Sequence, residues 1–239
     1  MLYARIVFGA SAILSGVVSA MWRDSSAWQR LAGVPSPLGA TIVWILVIAQ
    51  IAGGIGMMFP RTARVASVVL GIAYGFFALA CVPQMIRTPK DPGQYVDFFE
   101  QLAIVCGALA VYAPTATRLG LGACALSFAW AQAVFSQYTA SLVPTWIPPN
   151  QMFWTILTTI AFALAGIAIL INRLANLAMR LMALMMALFG ILVWVPHLIA
   201  APRDLSQWNE LAANYLITAA TWLVADAQTF NVSSAWKKR

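Results

Sequence analysis

The sequence predicts an all-α integral membrane protein: eight transmembrane helices arranged as two tandem four-helix repeats in parallel orientation. Three observations predict it. First, the 239 residues are 62% hydrophobic and only 9% charged, with mean hydropathy +0.83. Soluble domains carry about 25% charged residues, so too few charges are present to cover a water-exposed surface of this size. Second, the apolar residues form long runs with no strand-like alternation. A segment crossing lipid must satisfy its backbone polar groups internally, which selects helices. Third, one layout is written twice. Arg5-Ile-Val-Phe-Gly-Ala-Ser-Ala12 returns 113 positions later as Arg118-Leu-Gly-Leu-Gly-Ala-Cys-Ala125. Arg61-Thr-Ala-Arg-Val-Ala66 matches Arg173-Leu-Ala-Asn-Leu-Ala178, and Val82-Pro-Gln84 matches Val195-Pro-His197.

Spans are expected at 3–22, 39–59, 63–86, 98–114, 117–137, 151–171, 175–198 and 209–226. Each is long enough, or nearly so, to cross about 30 Å of hydrocarbon at about 1.5 Å per residue. The first resembles a cleavable leader, with Arg5, an apolar stretch and Val18-Ser-Ala20. Its counterpart at 118–137 lies mid-chain, so a retained span is expected. Pro35 and Pro37 open the second span and Pro60 closes it. The third carries Gly71-Ile-Ala-Tyr-Gly75, a spacing that lets membrane helices approach closely. Gly53 and Gly54 in the second span, and Ala165 and Gly166 in the sixth, sit at corresponding places. Pro89, Pro92 and Gly93 form the next loop. The fourth and eighth spans are short and should stand nearly upright. Pro114 separates the halves, Pro144, Pro148 and Pro149 precede the sixth span, and Pro202 follows the seventh. The domain reading is therefore 1–113 as the first repeat and 114–239 as the second, ending in a short basic cytoplasmic tail.

An even number of spans per half relates the halves by an axis along the membrane normal. One side holds Arg5, Arg61, Arg64, Arg118, Arg173, Arg180, Lys237, Lys238 and Arg239; the other holds Arg23, Arg30, Arg87, Lys90 and Arg203. The positive-inside rule then puts both termini in the cytoplasm. Asp24, Asp91, Asp97, Glu100, Asp204 and Glu210 fall on the outer side, which concentrates the polar chemistry there. Arg180 is expected to snorkel to the headgroups, and Met179, Met182, Met185 and Met186 to fill gaps between helices.

The formal net charge of +7 does not imply a nucleic-acid partner, because the basic residues are scattered and form no patch. The partners expected are the lipid bilayer and either other subunits or further copies of the chain. Cys81, Cys106 and Cys124 are dispersed in apolar runs, which is no disulfide framework. No His/Cys/carboxylate cluster has metal-ligand spacing, and one histidine excludes a bis-histidine haem within the chain.

The richest segments are 142–154, Leu-Val-Pro-Thr-Trp-Ile-Pro-Pro-Asn-Gln-Met-Phe-Trp, and 194–210. Both are expected at the outer interface, where they could converge. His197, the only histidine, could relay a proton or hydrogen-bond a ligand; it could equally be bonded to a neighbouring helix. Trp146, Trp154, Trp194 and Trp208 could stack on an aromatic ligand such as a quinone ring, or belong with Trp22 and Trp28 to an interfacial aromatic belt. Glu210, read as opening the eighth span, could pair with Arg203 or Arg173 and tune a pocket, or cap the helix. Asn209 and Asp97 are further candidate caps.

Val143-Pro-Thr-Trp-Ile-Pro148 followed by Phe153-Trp154, with Ala165-Gly-Ile167, Arg173-Leu-Ala175, Val195-Pro-His-Leu198 and Pro202-Arg-Asp…Trp208-Asn-Glu210, resembles the DoxX family. The likeness covers about 113–226, and the first half only through the repeat. The resemblance implies a four-helix bundle in a bacterial inner membrane. Some members are subunits of quinone-reducing complexes such as thiosulfate:quinone oxidoreductase, and others are linked to thiol and oxidative-stress complexes. This chain departs by being doubled, with Gln84 where His197 stands in the second half.

Three functions compete. The chain could be the membrane subunit of a redox complex that meets quinone at the outer leaflet, with no cofactor of its own. In that case His197 would handle a proton, the tryptophans would stack, and Arg203 and Glu210 would tune the pocket. It could instead be a structural, assembly or anchoring subunit without chemistry. A transporter of a small or lipidic molecule is the third. Against transport, no span centre shows paired charges or a broken helix.

Overall fold

A computed structural model describes residues 2–33 and 37–236, with side chains described up to 229 except that of Pro37. Pro35 and the basic tail Lys237, Lys238 and Arg239 lie outside the described residues. The described residues contain helices and no strand: α1 Leu2–Trp22, α2 Ser26–Ala32, α3 Pro37–Met58, α4 Ala63–Arg87, α5 Pro92–Ala108, α6 Pro114–Val134, α7 Ser136–Leu142, α8 Gln151–Leu170, α9 Ala175–Phe189, α10 Val195–Ala200 and α11 Leu205–Trp236. A π-helical turn, Gly190–Trp194, joins α9 to α10.

Five of these are long and apolar enough to cross a membrane: α1, α3, α4, α8 and the continuous run Ala175–Ala200. There are six if α6 and α7, bent by 94° at Phe135, count as one span. Every expected span has a helix at its position, but α5 and α11 fall outside this set. Their polar residues are tolerable because they are inner helices. The outer elements α3, α4, α8 and α9 present large exposed apolar side chains, such as Ile45, Ile72, Leu164 and Leu184. That is the surface a bilayer solvates. Helix α11 packs on α1, α5, α6 and α9, and α5 packs on α4, α6 and α11.

Helix starts differ from the expected ones for a local reason. Asp91 Oδ1 accepts from the Gly93 amide at 3.0 Å and starts α5 six residues early. Asp204 Oδ1 accepts from the Ser206 amide and hydroxyl, each at 2.9 Å, at the start of α11. These hydrogen bonds hold the exposed Asp204 carboxyl below its usual range. Asp97 and Asn209 are therefore not caps, and Glu210 lies inside α11 instead of opening it. Asn150 Oδ1 caps α8 through the Phe153 amide at 2.8 Å.

Two arginines bond to neighbouring helices. Arg118 is buried and donates to the Ile169 carbonyl, and at 3.1 Å to that of Leu170, satisfying orphan groups at the end of α8. Arg180, whose side chain is 45% exposed, pairs with Asp226 at 3.0 Å and donates to Asn176 Oδ1 at 2.8 Å. Met179, Met182 and Met186 are buried between helices, as the sequence led us to expect.

Close approaches fall at small residues. A Cβ on Gly54 would sit 2.6 Å from the Gly9 carbonyl oxygen, and one on Gly166 would sit 3.0 Å from that of Gly122. The tightest crossing is that of α5 with α11, where a Cβ on Gly107 would meet the Ala220 Cα at 2.3 Å. The two glycines of Gly71-x-x-x-Gly75 are not alike: Gly71 faces Leu109, whereas a Cβ on Gly75 meets nothing within 4 Å. Gly107→Ala is therefore expected to destabilise by about 1–3 kcal/mol through overpacking against backbone. Gly75→Ala should stabilise by about 0.5–1 kcal/mol. Thermal unfolding of the two variants in one detergent checks both signs.

Candidate functional site

Two cavities lie side by side within the bundle and share part of one wall. The larger, about 240 Å³, is apolar. Phe128 of α6, Phe162 of α8 and Phe189 of α9 form its ring-lined side, with Phe128–Phe162 centroids at 5.7 Å and Phe162–Phe189 at 6.3 Å, both edge to face. Trp154 and Trp194 add to the aromatic lining, and Val143, Pro144 and Ile147 line it as well. That loop is fixed in place: Trp154 Nε1 donates to the Pro148 carbonyl at 2.9 Å, and Gln151 Nε2 donates to that of Val143.

The π-helical turn shapes this cavity. A proline cannot donate and its ring crowds the carbonyl four residues earlier. The segment ahead of Pro196 widens to i→i−5 bonding, with the Val195 amide on the Gly190 carbonyl. The turn carries Leu192, Val193 and Trp194 into the wall. Gly190 lets α11 come close: a Cβ there would meet Asn214 Oδ1 at 2.9 Å and the Tyr215 ring at 2.6 Å.

The smaller cavity, about 200 Å³, is polar. Ser15 of α1 donates to Gln50 Oε1 at 2.7 Å, and Tyr74 OH approaches the same oxygen at 3.4 Å. Gln50, fully buried on an otherwise apolar helix, gives its own amide to Leu46 O at 3.2 Å. Arg30 of α2 pairs with Asp97 of α5 at 2.9 Å at this cavity's rim. Both side chains are 43% exposed, so the pair itself is worth little, about 0–1 kcal/mol. Cys81 also lines this space and remains a free thiol, as do Cys106 and Cys124.

Glu100 of α5 and Glu210 and Ala213 of α11 line both cavities. Glu100 lies within electrostatic range of Glu210 and of Asp97. Arg203 forms no ion pair with Glu210 among the described residues, nor does Arg173. Gln132, Thr139, Thr158 and Asn214 also line the apolar cavity; Asn214 is 5% exposed, and its Oδ1, turned toward Gly190, has no hydrogen-bond partner.

Both segments singled out in the sequence reach the apolar cavity, the first through Val143, Pro144 and Trp154 and the second through Trp194 and Glu210. The other named residues stand apart from its walls. His197 Nδ1 engages the Val193 carbonyl at 2.8 Å, within its own helical run, and its ring lies 6.1 Å from that of Trp194. Trp146 is 72% exposed, Arg203 is exposed, and Trp208 Nε1 donates to the Pro202 carbonyl at 2.9 Å. Sequence reasoning missed Phe128, Phe162, Glu100 and Asn214. A polar residue inside an apolar span was the available signal for the last two. Among the described residues, no three or more His, Cys, Asp or Glu side chains are grouped to hold a metal ion. No family model, curated protein or solved structure matches the chain.

Burial separates the aromatic residues by role. Phe162, 2% exposed, should cost about 3–5 kcal/mol when truncated to alanine. Trp146→Ala should stay within about 0.5 kcal/mol of the parent. Denaturant titration of the two variants in detergent tests this ranking.

Proposed function

We propose that the chain is an integral membrane subunit of a redox complex and holds a quinone ring in the apolar cavity, close to the outer leaflet. The observation that carries this reading is the cavity itself, ring-lined on one side and bordered by the carboxyl groups of Glu100 and Glu210. A void of about 150 Å³ lined by apolar side chains suffices to admit benzene. At about 240 Å³ this one has room for a substituted ring. Trp154 and Trp194 are the stacking candidates. Glu100 and Glu210 are better placed than His197 to exchange protons with the ring, since His197 is held on the Val193 carbonyl. Electrons would come from a partner subunit or from the substrate.

The architecture we adopt with it is eight spans in two parallel repeats, DoxX-like, in a bacterial inner membrane with both termini cytoplasmic. Helix pairing supports the repeat: α1 packs on α3 as α6 on α8, α4 on α5 as α9 on α11, and α1 on α11 as α6 on α5. Local contacts recur at offsets of 112 or 113. Gly9 with Gly54 echoes Gly122 with Gly166, the Asp91 cap echoes that of Asp204, and Tyr95 OH on the Pro89 carbonyl echoes Trp208 Nε1 on that of Pro202.

Protein purified from its native membranes is expected to carry extractable quinone near one per chain, and Ala213→Trp, which fills the shared wall, should lose it. Absence of quinone from the folded wild type would remove the redox reading. Reporter fusions at residues 1, 116 and 239 should all report the cytoplasm.

A further inference from the structure

We propose that α2 is a hinged lid over the polar cavity, latched by the Arg30–Asp97 ion pair, and that the space behind it admits a small water-borne solute. This is independent of the quinone reading, which concerns the other cavity. The walls suit such a solute because they carry hydroxyl, amide and carboxyl groups, among them Ser19, Gln101, Asn209 and Glu100. Helix α2 covers one side through Ser26, Ala27 and Arg30, yet no residue of α2 is buried. An element with so little apolar burial opens at low cost. Left-handed backbone stands just before and just after it, at Arg23 (φ 50°) and Gly33 (φ 75°), so sharp turns set α2 apart from α1 and α3 as a short arm. On one edge Trp28 packs over Gly39 of α3, where a Cβ would meet the indole at 2.6 Å. On the other, Arg30 Nη1 reaches Asp97 Oδ2 of α5 at 2.9 Å. The packed edge is the hinge and the charged edge is the opening.

The second half has a fixed cover in the corresponding place. Helix α7 and the loop after it line the apolar cavity through Thr139, Leu142 and Val143. Gln151 and Trp154 of α8 tie that loop down through the Val143 and Pro148 carbonyls. At the offset of 112 that relates Gly54 to Gly166, these two residues correspond to Gly39 and Ile42, which have no side-chain donor. The first half therefore lacks those ties and relies on an ion pair whose two side chains are each 43% exposed. Water reaches such a pair, so it holds the lid only weakly.

Cys81 reports opening, because its free thiol lies on the wall of this cavity and the residue is 3% exposed. The test measures modification of Cys81 by MTSET, a small cationic thiol reagent that does not cross lipid, on the full chain in nanodiscs. Peptide mass mapping assigns the label, so Cys106 and Cys124 stay native. Wild-type labelling is expected to be slow, and Arg30→Gln and Asp97→Asn should each speed it by about two- to fivefold. Gly33→Ala, which strains the closed turn without touching a charge, should speed it as well. Charge acting on the thiol, or on the approach of the cationic reagent, would drive the two charge variants in opposite directions, since one loses a cation and the other an anion. Opposite shifts therefore overturn the latch, as do unchanged rates in all three variants. Labelling of the folded wild type as fast as that of the chain in SDS shows that nothing covers the cavity and overturns the lid. Absence of labelling in every folded variant shows that α2 does not open and overturns it too.

Discussion

The contact of α5 with α11 at Gly107 and Ala220 governs the interior of this bundle. The two backbones meet so closely there that one methyl group would not fit. Both helices carry acidic side chains, and neither has the length and apolarity of a lipid-facing span. Pinning them together inside a ring of more apolar helices keeps those carboxyl groups away from lipid, where they would be costly. Glu100 is seven residues, about two turns, from the pinch on α5, and Glu210 is about three turns from Ala220 on α11. The same crossing thus leads to the partition between the two cavities.

Placement of most helices was legible in the sequence to within a few residues, because prolines mark the breaks; α5 and α11 depart further, α5 starting at Pro92 and α11 running on to Trp236. The expected spans at 3–22, 63–86 and 151–171 correspond closely to α1, α4 and α8. The short helices α2 and α7 were not legible, since seven residues carry too little periodicity to register. The site was readable only at its rim. Trp154, Trp194 and Glu210 stand out as large or charged residues in segments that carry prolines. Phe128 and Phe162 sit in nearly uniform apolar runs, and a helix apolar all round does not announce which face turns inward. His197 drew notice for its rarity, yet the nearest free acceptor was its own helix, on the Val193 carbonyl.

On the proposed repeat, the two cavities are counterparts, and the way they differ follows from hydrogen-bond accounting. Ser15, Gln50 and Tyr74 occupy the positions of Phe128, Phe162 and Met186, at offsets of 113, 112 and 112. Cys81 stands where Trp194 stands. The frame around them keeps its character: Phe77 corresponds to Phe189, and Asp97 to Glu210. The polar trio is a connected unit, with Ser15 and Tyr74 both directed at Gln50 Oε1. Replacing one member alone would leave a buried amide or hydroxyl unmet, so such a network is exchanged whole or not at all. In the second half all three positions are apolar.

Asn214, the counterpart of Gln101, is the residue that this exchange leaves behind. Gln101 faces a cavity with serine, tyrosine and arginine in its wall. Asn214 lines the more apolar cavity, and its Oδ1, turned toward Gly190, has no hydrogen-bond partner. A leucine of similar size would remove that cost, and the apolar neighbours across the cavity would accept it. The amide is instead accommodated by the π turn, where the absence of a side chain at Gly190 leaves room for Asn214 Oδ1.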